Sequence, residues 1–174
     1  MKIRLLFSLI FFIFCRSIFG QTTDSLNSEL TGYWVVKSVK FNFPVDLNKD
    51  GKKSADAMDE YTDCQKDQQL ELLPDMSAKM YAGTRAKDCK GKEEHFTWKV
   101  VKRMVRDSRY ANGQRIINEH MVVVLVLKAT SPDSESMQFK IEKVAKKTLA
   151  VKAEIRDGSD STSEALIELK REKK

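Results

Sequence analysis

From Tyr33 to Arg171, hydrophobic residues recur at every second position in short runs separated by turn signals, the period of strands with one buried face. In Tyr33–Phe43, Val35, Val39 and Phe41 fall on one face and Trp34 and Val36 on the other. Gln69–Leu73 leads into the turn pair Pro74-Asp75, and Ala78–Ala82 completes a hairpin. His95–Val101 sets Phe96, Trp98 and Val100 on one side. Asn112-Gly113 predicts a two-residue hairpin turn, because both residues tolerate the positive φ it requires. Ile116–Ala129, Met137–Val144, Thr148–Ile155 and Ala165–Arg171 follow, making eight strands, or nine if Met104–Tyr110 pairs as a strand of its own. After residue 62 there is no helical apolar stripe. A chain of hairpin-linked strands is all-β, an antiparallel barrel or sandwich rather than a βα fold. With no repeat, linker or shift in composition, it reads as one domain over residues 30–172, preceded by a polar lead-in at residues 21–29.

One run departs from alternation. Met121–Leu127 is apolar on both faces. It predicts either a strand with one face in the core and the other covered by the N-terminal segment or a loop, or an exposed apolar stripe used for self-association or a partner.

Residues 1–20 follow a different logic. Lys2 and Arg4 precede an apolar run from Leu5 to Cys15, and Gly20 stands just before Gln21. The run is about half the length needed to span a bilayer, and this layout predicts a cleaved signal peptide over residues 1–20. Cys15 raises attachment of a lipid as an alternative, which the bulky Phe14 before it disfavours. The expected location is outside the cytoplasm: periplasm, outer envelope or extracellular space. The mature chain is then not an integral membrane protein.

Removing this segment changes the composition. The whole chain is 41% hydrophobic and 32% charged, with 31 basic against 25 acidic residues. Setting aside Lys2, Arg4 and Arg16 leaves 28 basic residues against those 25 acids, too mild an excess to imply a nucleic-acid partner. Of three cysteines, two remain, and in an oxidising compartment Cys64 and Cys89 are natural disulfide partners. Neither belongs to a Cys-x-x-Cys pair, and His95 and His120 are not at zinc-ligand spacing from them. The bridge closes a loop worth about 3.5 kcal/mol in the chain-entropy picture.

The loop Asp46-Leu47-Asn48-Lys49-Asp50-Gly51 is the strongest candidate site. Oxygen ligands at alternate positions, followed by a glycine, match the first half of a calcium loop. Lys52 offers a carbonyl, Ser54 a hydroxyl, and Asp56, then Asp59, stand in for the acid that should close the loop where Ala57 lies. The candidate ligands are therefore Asp46, Asn48, Asp50, Lys52, Ser54 and Asp56, with calcium as the cofactor. Lys49, Lys52 and Lys53 reduce the negative charge, and a metal-free turn held by Asx hydrogen bonds suits the same residues.

Signs of catalysis are sparse. There is no Gly-x-Ser-x-Gly elbow, His-Glu-x-x-His or phosphate loop. Acid pairs such as Glu93-Glu94 project to opposite faces of a strand, so a non-enzymatic protein is expected.

The order of several features resembles the secreted bacterial lipocalin-like domains. Gly32-Tyr33-Trp34 supplies a Gly-x-Trp at the start of the first strand. The Asp/Asn-Gly loop, Cys64, Cys89 and Phe96-Thr97-Trp98 follow in order, and Phe139–Val151 fits a closing hairpin around a Lys-Lys turn. The resemblance implies an antiparallel up-and-down barrel of about eight strands, with Gly32 and Trp34 at its closed end. It also implies a late basic residue stacked on Trp34: Arg171, which shares a face with Ile167 and Leu169, or alternatively Lys170. The Thr-Asp-Tyr motif of lipocalins is missing, so the wider group is implied rather than a spacious retinoid-type cavity. The function implied is binding of a small apolar ligand in the barrel. The alternative is an envelope or extracellular module, inhibitor-like in character, that meets a protein partner through its loops or apolar strand.

Overall fold

A computed structural model describes residues 23–85, 87–112, 114–132, 135–156 and 162–173. The expected signal peptide, with Cys15, and Gly113 of the hairpin turn lie outside the described residues. Most of the alternating runs are strands: β1 (Gly32–Val45), β3 (Gln68–Leu72), β4 (Ser77–Ala82), β5 (Lys92–Ala111), β6 (Gln114–Ala129), β7 (Met137–Ala145), β8 (Thr148–Arg156) and β9 (Thr162–Glu172). Short β2 (Ser54–Asp56) pairs with β1 alone among the described residues. Helix α1 spans Thr23–Leu30, and single-turn helices α2 (Ala57–Glu60) and α3 (Asp63–Lys66) link β2 to β3.

All pairings are antiparallel, and the sheet closes in a ring. Strand β1 meets β3 from Gly32 to Val35 and β9 from Tyr33 to Phe41, so neither of its edges is left open along this stretch. Eight strands form the ring and β2 hangs on the outer half of β1.

Three elements differ from the alternation. Along β1 the register with β9 slips between Val36 and Ser38. The inserted residue re-phases the strand, so Val39 lines the same interior as Val36 instead of facing the opposite way. Strand β5 runs unbroken for 20 residues, with Met104–Tyr110 as its outer part rather than a separate strand. The polar lead-in is largely α1, whose Leu26 and Leu30 are buried in the core. Two leucines four positions apart make a single helical contact, too short a pattern to stand out from a polar segment.

The main core joins Leu26, Leu30 and Trp34 to Leu72, Phe96, Trp98, Leu127 and Leu149. A second cluster, Val39, Phe41, Val45, Ala57 and Ala165, packs α2 against β1 and β9. In Met121–Leu127, residues Val123, Leu125 and Leu127 face the core. Val122 and Val124, on the other face, are also buried. Arg103 reaches across that face from β5 to Gln138 on β7 at 2.8 Å, so the long side chain shields the valines while its head stays wet. The middle of this segment is therefore buried on both faces rather than an exposed stripe. Farther out, β4 meets β5 only as far as Thr97, and β7 meets β6 only from Val124. The rest of the β5–β6 pair is a two-stranded ribbon beyond the ring, with Met104, Tyr110 and Ile117 exposed.

Cys64 on α3 and Cys89 before β5 are disulfide-bonded, with Cα atoms 5.6 Å apart. Gly83 turns beside them at φ +65°, where a Cβ would lie 3.2 Å from Cys89 Cβ, so both backbone and space call for glycine.

Candidate functional site

One end of the ring is filled. Trp34 is fully buried, donates its indole N–H to Leu30 O at 2.7 Å, and has Arg171 Cζ 4.5 Å from its ring centroid. Arg171 also donates to Glu29 O, tying β9 to α1. Gly32 lets the arginine pass: at φ +145°, a Cβ there would lie 3.4 Å from Arg171 Nε. Lys170, the alternative partner for Trp34, is paired with Val35 and exposed. The cation–π contact exists because Trp34 and Arg171 are direct cross-strand partners on the inward face.

Farther along the same interior lies a cavity of about 100 Å³. Its lining is aliphatic and aromatic, including Val36, Leu70, Met80, Leu125, Phe139 and Ile167, and it draws on β1, β3, β4, β6, β7, β8 and β9. Tyr61, Gln68 and Gln69 are its polar members. Gln69 is nearly fully buried and is held by Tyr33, Asp67 and Thr84, so its amide serves the scaffold. Burial pushes the Tyr61 phenol above its ordinary value, which keeps it protonated at neutral pH. The space suits an apolar group with one polar end near Tyr61 or Gln68. Nothing in the sequence measured this space, because alternation groups residues by face without saying which face is inward or how far apart opposite walls stand.

The acidic loop is outside the ring, between β1 and β2. Asp46 accepts from the N–H groups of Asp50 (3.1 Å) and Gly51 (2.9 Å), and Asn48 Oδ1 accepts from Asp50 N–H at 3.0 Å. Asp50 Oδ1 accepts from Lys52 N–H at 2.8 Å. The other proposed ligands serve α2. Asp56 caps it by accepting from Met58 N–H at 3.0 Å, and Ser54 donates its hydroxyl to Asp59 at 2.9 Å. Among the described residues, the acids whose oxygens gather are Asp46, Asp50 and Glu60, all within 4.8 Å of one another. Glu60 was not among the sequence candidates, since it lies beyond the span of the calcium-loop template and is brought back only by the turn of α2.

The histidines stand elsewhere. His95 is 3.3 Å from Glu93, His120 is 3.5 Å from Asp107, and neither lines the cavity. Glu93 pairs with Lys79 and Glu94 with Lys92, on opposite sides of β5. No helix among the described residues is long and apolar enough to cross a membrane. Comparison with family models, curated protein sequences and solved structures finds no match to this chain.

Proposed function

We propose that this chain is an exported binding protein of the lipocalin-like barrel kind, which holds a small apolar ligand inside the ring. The observation that carries this reading is the aliphatic cavity above the Trp34 plug. A bound disulfide pair fits an oxidising compartment, as export of residues 21 onward would require. The meander order of eight ring strands and the Gly32–Trp34–Arg171 contact support the barrel assignment.

Size selects the ligand. At about 100 Å³ the cavity is on the scale of the roughly 150 Å³ space that accepts a benzene, and below the ~300 Å³ at which drug-sized pockets begin. A slim alkyl tail suits this volume better than a ring, and a retinoid is too large for it. The test is displacement of a fluorescent acyl probe by short and medium-chain fatty acids. Saturable one-to-one binding is expected, and Val36→Trp, which fills the space from β1, should abolish it without unfolding the protein. Binding that is absent in the parent, or unchanged in Val36→Trp, overturns the reading. A second reading, a protein-interaction module, is favoured by the exposed Met104, Tyr110 and Ile117 on the projecting ribbon, and gains if no probe binds.

A further inference from the structure

We infer that Asp46, Asp50 and Glu60 form a binding site for a hard divalent cation, calcium, which fastens the β1–β2 loop to α2. The gathering of three carboxylates is one observation. The independent one is Glu60 itself: it is only 9% exposed, and its Oε2 is buried with no hydrogen-bond partner. A carboxylate oxygen enclosed in this way is stabilised by a compensating positive charge or donor. Among the described residues no ion pair joins Asp46, Asp50 or Glu60 to a lysine, arginine or histidine. One carboxylate oxygen of Glu60 lies within 4.8 Å of an oxygen of each aspartate, where a cation would satisfy all three.

The dimensions suit calcium. Oxygens within 4.8 Å of one another have a common centre no farther than about 2.8 Å from each, a small contraction away from the 2.3–2.6 Å of calcium, which accepts irregular sets of six to eight oxygens. Water and loop carbonyls would complete the shell. The Asp46 and Asp50 oxygens that accept backbone N–H groups keep second lone pairs for the metal. The hydrogen bonds also hold the loop in shape before metal arrives, which lowers the ordering cost of binding. The Asp56 cap and the Ser54–Asp59 hydrogen bond anchor α2, so Glu60 is presented by a short but held element. With few protein ligands and an exposed rim at Asp50, the expected affinity is that of extracellular modules, Kd on the order of 10⁻⁴–10⁻³ M.

The site stands independently of any ligand in the ring, although Tyr61, the residue after Glu60, lines the cavity. That adjacency supplies the assay. Terbium(III), which occupies calcium sites, should emit when tyrosine in the full-length mature protein is excited, and calcium should quench the emission by displacement. Glu60→Gln should weaken terbium binding at least tenfold, as should Asp50→Asn, an exposed position where misfolding is not a concern. Melting should separate the two states: calcium at ten times Kd raises the parent's Tm by a few degrees. Glu60→Gln, relieved of an uncompensated carboxylate, should melt no lower than the parent in chelator and lower than it in calcium. This reversal of order is not produced by a merely structural glutamate. No calcium shift in the parent, or an equal shift in parent and both variants, overturns the site.

Discussion

Replacing Trp34 by alanine removes the largest fully buried side chain together with its hydrogen bond to Leu30 O and its cation–π contact with Arg171. The indole is wholly inaccessible, so the loss of transfer energy and the resulting cavity cost about 3–5 kcal/mol. Leu30 O loses the 2.7 Å indole donor, which adds about 1 kcal/mol if water does not replace it. Arg171, left over an empty space, forfeits the cation–π contact at 4.5 Å, worth about 0.5–1 kcal/mol at this half-buried position. Relaxation of α1 into the gap recovers part of this, and about 4–5 kcal/mol is the expected net cost. In urea, with a slope of about 2 kcal/mol per molar, the midpoint should fall by about 2 M. Arg171→Ala alone should cost about 1–2 kcal/mol, because it removes the stacking and the hydrogen bond to Glu29 O but no core volume. The double variant completes a cycle, and the two residues should couple by about 0.5–1 kcal/mol. A loss below about 1.5 kcal/mol for Trp34→Ala, or strict additivity with Arg171→Ala, refutes the account of a plugged end locked by this pair.

Exchanging both Cys64 and Cys89 for alanine should cost about 3.5 kcal/mol and lower the Tm by about 10 °C. Non-reducing peptide maps should show the pair cross-linked, and free thiols in exported protein would contradict the bridge. Acid titration should expose a smaller effect at Glu164, whose carboxylate is held below the ordinary glutamate value first by its hydrogen bond from Lys152 Nζ at 2.8 Å. Because the folded pKa is the lower one, its contribution is present above the unfolded value of about 4.3 and is lost as pH falls through the folded value. The partners are 31% and 40% exposed, so solvent screening limits the pair to less than about 1 kcal/mol. Glu164→Gln should flatten the stability profile by that amount below about pH 4.3, and an unchanged acid limb in circular dichroism melts would remove the pair from the account. Lys152 is raised by the same contact, so its share is retained at neutral pH and is lost only as pH rises through its folded value.

Local chemistry made much of this protein legible before any coordinates. Strand period depends on neighbours two residues apart, and Phe96, Trp98 and Val100 or Ile167 and Leu169 announce their shared faces directly. Turn residues are equally local: Asn112, at φ +51°, sits where a two-residue hairpin needs it. The disulfide expectation followed from counting, because only two thiols remain once Cys15 is assigned to an expected signal peptide. Long-range geometry was not accessible in this way. Ring closure joins Ser38 to Glu168, hydrogen-bonded at 2.9 Å across 130 residues, and no short-range pattern says which strands become neighbours. The slip at Val36–Ser38 is set by fitting β1 against β9, so Val39 changed sides for a reason lying in another strand. The cavity depends on the distance between opposite walls, and the meeting of Glu60 with Asp46 and Asp50 depends on the path of α2. The sequence by itself determined where most of the strands run and which neighbours along a run share a face, because those are properties of consecutive residues. Only the tertiary structure decided which strand closes on which, how much interior is left empty and which carboxylates converge, because those require distant parts of the chain to pack against one another.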